Sequence, residues 1–237
     1  MAAKTRTFVL VHGAWHGGWC WRRLADRLEA RGHKIFAPTL TGLGERAHLM
    51  SGAIKLATHI TDIVNIFKYE RLSDVVLCGH SYAGFVISGV AEPMEKAISS
   101  IVFLDAFYPD NGQSCVEVNR PGVKEAVAAL VQKGEIGIPP RSAEAFGVNE
   151  KDPAWVDALC GPQPIATFTD RITLTGARER IAKKTYVRAK GYDNPAFDLA
   201  LARVKPDPSW RTYEVNSGHD VMVDQPERLT EILIEVA

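Results

Sequence analysis

Ser81 is flanked by small residues and follows an apolar run at residues 75–78. Gly79 precedes it by two residues and Ala83 follows it by two, so the pattern is G-x-S-x-A, a mild departure from G-x-S-x-G. A nucleophilic serine must project its oxygen from a sharp strand-to-helix turn, and strand and helix pass closely only if the flanking residues are small. The pattern therefore predicts a nucleophilic serine, with a purely structural turn as the alternative.

A serine hydroxyl is a weak nucleophile until a base takes its proton. Among the seven histidines, His219 is placed best, because it directly follows the last predicted strand. Catalytic groups in open parallel sheets gather at the carboxyl ends of the strands, where Ser81 is also expected. His12, at the end of a strand, and His80, inside the turn, have structural explanations. His219 is therefore the predicted base.

Two aspartates compete to orient this histidine and to stabilise its cation. Asp105 directly follows one predicted strand, and Asp193 lies in the loop after another. Both give the chain order serine, aspartate, histidine. A turn or helix cap is the alternative role for Asp105, and an Asx turn is the alternative for Asp193. Asp220 is adjacent to His219 and is poorly placed to reach its Nδ1 atom, so the choice between the other two stays open.

The oxyanion of an acyl-transfer reaction needs two fixed backbone N–H donors. Tyr82, the residue after the serine, supplies one of them. The glycine-rich loop after the first strand should supply the other, because Gly13 leaves the chain free to turn the amide of Ala14 inward. We predict an oxyanion hole formed by Ala14 and Tyr82.

Strands and amphipathic helices alternate along most of the chain. The predicted strands are residues 7–12, 34–37, 74–78, 99–104, 185–188 and 210–215. Short connections between alternating strands and helices are typical of a parallel sheet with helices on both faces. We predict one α/β domain over residues 1–237.

The alternation stops in residues 107–183, which contain helical faces and repeated prolines but no convincing strand. We interpret this segment as a helical lid inserted within the domain, because it is rich in apolar residues and has no long Gly/Ser run. Its apolar residues suggest an apolar or aromatic substrate, although core packing explains them equally well. They include Val127, Leu130, Val131, Phe146, Trp155 and Phe168.

Composition excludes several classes of function. The formal net charge is zero, so no basic excess indicates nucleic acid or an anionic membrane surface. No apolar run approaches the length of a membrane span, and the N-terminal residues lack a signal-peptide core. The four cysteines are scattered, which favours reduced thiols in a cytoplasmic protein and no metal site. A homodimer is compatible with the sequence but is not indicated by it.

Residues 42–47 fit the pattern G-x-G-x-x-A, and Asp62 lies twenty residues after Gly42. A dinucleotide site would need a helix that opens inside this motif, directly after the first strand. The segment instead follows the second predicted strand and shows no clear helical face. We therefore expect no dinucleotide and no other cofactor.

Four segments together resemble the α/β-hydrolase superfamily. They read HGAWHGGWCW at 12–21, GHSYAG at 79–84, FLDAFYPD at 103–110 and SGHD at 217–220. The most similar branch is the plant methylesterase and hydroxynitrile lyase group with its bacterial esterase relatives. The resemblance covers nearly the whole chain and is weakest in the lid. It implies the α/β-hydrolase fold, a mostly parallel twisted sheet flanked by helices with a helical lid, and a serine hydrolase that uses the residues named above.

The resemblance also bears on the choice of acid. In the plant group the acid follows the strand before last, at the position of Gly191, and Asp193 lies two residues further on. The plant proteins have a segment similar to FLAAF where this chain has FLDAF at residues 103–107. Some other superfamily members, including certain haloalkane dehalogenases, carry the acid after the earlier strand, and Asp105 follows Ser81 by a compatible twenty-four residues. We therefore predict Asp105 as the acid, with Asp193 second.

Two further positions concern the reaction. Hydroxynitrile lyases resemble this chain but have a threonine after the first histidine and a lysine after the catalytic one. Gly13 and Asp220 occupy those positions here, which favours ester hydrolysis.

A dehalogenase would need a carboxylate at position 81, where this chain has a serine. We predict a serine hydrolase that cleaves a small carboxylic ester through an acyl-enzyme. The alternatives are a hydroxynitrile lyase and a non-hydrolytic small-molecule receptor on the same fold.

Overall fold

A computed structural model describes residues 5–237. The strands in this part of the chain are β1 (Thr7–Val11), β2 (Lys34–Phe36), β3 (Val75–His80), β4 (Ile98–Leu104), β5 (Gly137–Ile138), β6 (Gln163–Pro164), β7 (Lys183–Ala189) and β8 (Trp210–Val215). The α-helices are α1 (Arg22–Glu29), α2 (Leu56–Tyr69), α3 (Ala83–Met94), α4 (Cys115–Val118), α5 (Val123–Gln132), α6 (Pro153–Leu159), α7 (Ala166–Thr169), α8 (Ala177–Arg180), α9 (Pro195–Val204), α10 (Val221–Asp224) and α11 (Pro226–Glu235). None of the helices within residues 5–237 has the length and apolarity to cross a membrane.

Six strands form one parallel sheet in the order β2-β1-β3-β4-β7-β8. Every residue of β3 is buried, as expected for a strand covered by helices on both faces. Because all six strands run in the same direction, the segments that follow β3, β4 and β8 emerge at the same edge. The predicted α/β fold is confirmed, and this edge is where Ser81, Asp105 and His219 lie.

The predicted strands all occur, with ends that shift by no more than two residues. The helix that follows Ser81, α3, includes Pro93 and ends at Met94. Pro93 has no N–H to donate to the Gly89 carbonyl, so the helix loses one hydrogen bond here and ends one residue later.

The segment between β4 and β7 contains α4 to α8, as the helical pattern predicted, and also the short antiparallel pair β5–β6. The expectation of no strand is therefore wrong at these two places, where two residues are too few to show a pattern. This segment is joined to the loop after β1 through Trp15. Its backbone N–H donates to Gln163 Oε1 at 3.0 Å, and its Nε1–H donates to the Ile138 carbonyl at 3.1 Å.

The glycine motif at residues 42–47 has a structural role. A 3-10 helix occupies Gly44–Leu49, although the sequence shows no clear helical face there. Thr41, the residue directly before the motif, is bound by both carboxylate oxygens of Asp62. Its backbone N–H donates to one oxygen at 2.7 Å and its hydroxyl donates to the other at 2.8 Å. The acidic residue that a dinucleotide site would need is thus engaged by the protein itself.

Candidate active site

Ser81 lies at the tight turn between β3 and α3, with φ of 56°, in the left-handed region. The turn leaves no space for larger neighbours on either side. A Cβ atom on Gly79 would lie 2.9 Å from the Ala83 carbonyl oxygen, and one on Gly84 would lie 1.9 Å from the Phe107 carbonyl oxygen. Glycine is therefore needed at 79 and 84, whereas position 83 accommodates the alanine that departs from G-x-S-x-G.

A chain of hydrogen bonds joins three buried side chains at this edge of the sheet. His219 Nε2 lies 2.9 Å from Ser81 Oγ, and His219 Nδ1 lies 2.7 Å from Asp105 Oδ2. A carboxylate can only accept hydrogen bonds, so Nδ1 carries the proton and Nε2 is left to accept from the serine hydroxyl. The structure thus brings together the predicted nucleophile, the predicted base and the first of the two candidate acids.

The other oxygen of Asp105 is held by β7. Arg188 Nη1 donates to Asp105 Oδ1 at 2.8 Å, and the backbone N–H of Ala189 donates to the same oxygen at 3.0 Å. Asp105 also has a positive φ, 42°. These two donors occupy Oδ1 and leave Oδ2 to accept the hydrogen bond from His219 Nδ1–H, so the carboxylate is fixed in position.

The second candidate acid lies outside this chain of hydrogen bonds. The side chain of Asp193 is exposed, and its backbone carbonyl accepts a hydrogen bond from the Arg120 guanidinium. The Nδ1 atom of His219 is already bonded to Asp105. The arrangement therefore supports Asp105 over Asp193.

The two predicted oxyanion donors flank the serine. Tyr82 is the N-cap residue of α3, where backbone N–H groups have no partner within the helix. Ala14 lines the same cavity as Ser81. The loop that carries it passes so close to the turn that a Cβ on Gly13 would lie 2.8 Å from His80 Nδ1 and 3.0 Å from Ser81 Cβ. Gly13 is required by this close approach, which brings the Ala14 backbone beside Ser81.

His12 holds the peptide that carries the Ala14 N–H, a role that its position at the end of a strand did not indicate. Its Nδ1 donates to the Gly13 carbonyl at 2.8 Å, and its Nε2 accepts from the Leu40 backbone N–H at 3.0 Å. Burial lowers the pKa of His12 to about 3, so the ring is neutral and can play both parts. The Gly13–Ala14 peptide is thereby fixed in orientation.

A buried pair, His16 and Asp220, joins the same loop to the segment after β8. His16 Nε2 lies 3.0 Å from Asp220 Oδ2, and His16 Nδ1 lies 2.8 Å from the Ala14 carbonyl oxygen. Burial by itself lowers the pKa of His16, but the Asp220 carboxylate outweighs it and raises that pKa well above its ordinary value. His16 is therefore a cation with both nitrogens donating. Asp220, as expected, does not bond Nδ1 of His219. Its bond to His16 is not predictable from the spacing of the two residues in the chain.

A cavity of about 280 Å³ opens over Ser81 and His219. Most of its wall is apolar and comes from residues 107–183. Four of the six apolar residues noted in that segment line it, namely Val127, Leu130, Phe146 and Phe168. Trp155 does not, and Val131 is 53% exposed on the outer surface. The segment thus forms one wall of a small apolar site.

Comparison with known proteins is consistent with this geometry. The model of the alpha/beta hydrolase family matches residues 8–232. The chain belongs to this family. It is 40% identical over 235 residues to a carbendazim hydrolyzing esterase of Nocardioides sp. (strain SG-4G), covering 95% of this chain and 97% of that one. It is 26% identical over 253 residues to a putative chloroplastic methylesterase 11 of Arabidopsis thaliana, covering 99% of this chain and 64% of that protein. The predictions of family and of an esterase-type α/β hydrolase are confirmed.

Solved structures with the same fold include an extracellular alpha/beta-hydrolase from a Paenibacillus species, with a TM-score of 0.85, 23% identity and coverage of 98% of this chain and 99% of that one. A methylesterase from Arabidopsis, MES16, has a TM-score of 0.78, 21% identity and coverage of 98% of both chains. At this level of identity the likeness concerns the fold of the α/β-hydrolase family.

Proposed function

We propose that this hydrolase cleaves small carboxylic esters by nucleophilic catalysis with Ser81. The observation that carries the proposal is the hydrogen-bonded chain from Asp105 through His219 to Ser81. In the first step Ser81 Oγ bonds to the ester carbonyl carbon while His219 Nε2 takes the hydroxyl proton. Asp105 keeps the imidazole in the required tautomer and stabilises the imidazolium.

The backbone N–H groups of Ala14 and Tyr82 stabilise the negative charge that develops on the carbonyl oxygen. When the tetrahedral intermediate collapses, the bond to the alcohol oxygen breaks and the alcohol leaves with the proton from His219. Water then attacks the acyl-enzyme with His219 as base, and the carboxylic acid departs as Ser81 recovers its proton. His12 and the pair of His16 and Asp220 hold the Ala14 loop in place for both steps.

The size of the cavity favours a compact substrate, because about 280 Å³ lies at the small end for ligand sites. The relative from Nocardioides, 40% identical over nearly the whole chain, is a carbendazim hydrolyzing esterase. Carbendazim is therefore a rational first substrate to test beside simple esters. Its turnover is not required by the proposal, since a pocket lined by residues 107–183 can differ while the nucleophile stays the same.

The experiment combines turnover of p-nitrophenyl acetate with labelling by a fluorophosphonate probe. We expect the wild-type protein to do both. Ser81→Ala should remove the label and lower kcat by about 10⁴-fold or more, with an unchanged thermal midpoint as evidence of correct folding. Turnover and labelling that persist in Ser81→Ala contradict the proposal. A protein that neither turns over esters nor reacts with the probe supports the receptor alternative.

Mandelonitrile separates the hydrolase from a lyase, because only a hydroxynitrile lyase releases cyanide from it. We expect no cyanide. The lid role of residues 107–183 and a cytoplasmic location remain predictions from the sequence, which leaves a homodimer possible.

A further inference from the structure

Two arginines, Arg120 and Arg141, stand out in the wall of the cavity over Ser81. The rest of that wall is mainly apolar, and no aspartate or glutamate is among the described residues that line it. Both arginines belong to the segment at 107–183. The core of the protein thus supplies the nucleophile, while this segment brings two positive charges into the same small space.

The hydrogen-bonding capacity of both guanidinium groups is only partly used. One Nη atom of Arg120 donates to the Asp193 carbonyl, while its Nε is buried without a hydrogen-bond partner within residues 5–237. Arg141 Nη1 donates to the Tyr192 hydroxyl at 3.0 Å. Each guanidinium also lies against an aromatic ring, Arg120 at 4.8 Å from the centre of Tyr192 and Arg141 at 5.7 Å from that of Phe146. Within the described chain, neither pairs with a carboxylate.

This lack of an acidic partner distinguishes them from other sheltered arginines of the protein. Arg188 pairs with Asp105 and Asp198, and Arg178 pairs with Glu179. Guanidinium groups removed from water are normally paired, because desolvation of an unpaired charge is costly. Two partly buried guanidinium groups that both contact Tyr192 and have no acidic partner are therefore suited to bind the carboxylate of a ligand.

Tyr192 relates the two arginines to the reactive centre. Its ring stacks on the imidazole of His219, with 4.3 Å between ring centres and 22° between planes. Arg120 contacts the ring of the tyrosine and Arg141 its hydroxyl. The positive charges therefore lie one aromatic ring away from the catalytic imidazole. If a substrate binds with its ester at Ser81 and extends along Tyr192, its other end lies near Arg120 and Arg141.

We propose that Arg120 and Arg141 form an anion subsite that binds a second carboxylate of the substrate, several bonds away from the scissile ester. The substrate class is then the half-ester of a dicarboxylic acid. Paired guanidinium groups favour planar carboxylates through charge-assisted hydrogen bonds. This inference rests on the proposed function, since the ester of the same molecule is the group that Ser81 attacks.

The test compares kcat/KM for monomethyl adipate and monomethyl suberate with kcat/KM for the neutral dimethyl esters of the same acids. We expect kcat/KM for at least one half-ester to be higher by about 10-fold or more. The difference should come from a lower KM, and it should become smaller at high salt. Arg120→Gln and Arg141→Gln should each lower the ratio of half-ester to dimethyl ester by about 10-fold. Arg141→Lys, which retains the charge, should keep most of the ratio.

Arg31→Gln is the matched control. It removes the same charge at an exposed position outside the cavity. It should leave the ratio unchanged. A wild-type enzyme that turns over both ester types equally overturns the subsite while the proposed function stands. Equal losses on both ester types in the Arg120 and Arg141 variants also overturn it, because they indicate a merely structural role.

Binding to Ser81→Ala gives a readout that does not depend on turnover. Titration calorimetry should detect binding of monomethyl adipate to the Ser81→Ala variant. The affinity should be about 10-fold or more weaker in the double variant that also carries Arg141→Gln. If the affinity is the same with and without Arg141, the subsite is wrong. If binding is intact but no ester is hydrolysed by the wild type, the proposed function fails and the anion subsite survives as a binding site.

Discussion

Asp105 and His219 are 114 residues apart in the chain, yet Oδ2 of the aspartate lies 2.7 Å from Nδ1 of the histidine. The aspartate follows β4 near the middle of the sheet, and the histidine lies in the loop after the edge strand β8. Between these strands, β7 contributes Arg188 and the N–H of Ala189, which hold the other oxygen of the carboxylate. The resemblance noted in the sequence places the acid of the plant group after the strand before last, which is β7 here. In this chain β7 instead supplies the two groups that hold Asp105, which follows the neighbouring strand β4.

Replacement of the two candidate acids separates their roles. Asp105→Asn should lower kcat for ester hydrolysis by about 10³- to 10⁴-fold, because the amide favours the wrong tautomer of His219. Asp193→Asn should change it by less than about twofold, since that side chain is exposed. Steady-state kinetics on p-nitrophenyl acetate measures both, with circular dichroism as a check of folding. The reverse order of effects would assign the acid to Asp193.

Loss of the Asp220 charge should destabilise the fold. Asp220→Asn leaves the His16 cation buried without its carboxylate, and breaking such a pair costs about 3–5 kcal/mol. Urea unfolding at neutral pH measures the change in the free energy of unfolding. The control is Glu231→Gln, which breaks an exposed pair with Arg228 and should cost less than about 1 kcal/mol. Similar losses in the two variants would contradict a special role for the buried pair.

A methyl group at Gly84 should disrupt the turn that carries Ser81. In Gly84→Ala the new Cβ meets the Phe107 carbonyl oxygen at 1.9 Å, so the backbone must move. We expect a loss of at least about 2 kcal/mol in the free energy of unfolding, together with reduced activity. Gly161→Ala is the matched control, because a Cβ there meets no atom within 4 Å, and it should change stability by less than about 0.5 kcal/mol.

Acid should destabilise the protein through three buried histidines. Burial lowers the pKa of His12 to about 3 and that of His59 to about 4, and it lowers the pKa of His80 well below its ordinary value of 6.5. Below pH 6.5 the unfolded chain therefore binds protons that the folded chain does not. The stabilisation is complete above pH 6.5 and is lost as the pH falls, by about 1.4 kcal/mol per pH unit for each histidine.

Urea unfolding between pH 6.5 and 5 measures this slope before most carboxylates titrate. His59→Gln should reduce it by up to about 1.4 kcal/mol per pH unit. His48→Gln, at an exposed position, should not change it. A stability that is flat over this range would show that the buried rings do not resist protonation.

The local sequence was enough to predict the turn at Ser81 and the succession of the strands along the chain, although not their order in the sheet. Small residues at Gly79 and Ala83, a buried run before Ser81 and a helix after it are properties of neighbouring residues, and local patterns encode them directly. The parallel sheet followed from the alternation of strands and helices. The two-residue strands β5 and β6 escaped prediction, because so short a segment has no periodicity.

The sequence by itself therefore determined the fold class, the turn at Ser81 and the edge of the sheet where the reactive groups gather. Tertiary structure decided which aspartate lies against His219, what holds Asp105 and Ala14, and that Arg120 and Arg141 both line the cavity and contact Tyr192. These outcomes depend on which strand ends are neighbours and on how the loops fold back over them. Separation along the chain does not encode such distances, since residues more than a hundred positions apart become contacts only when the sheet has formed and residues 107–183 have packed over its edge.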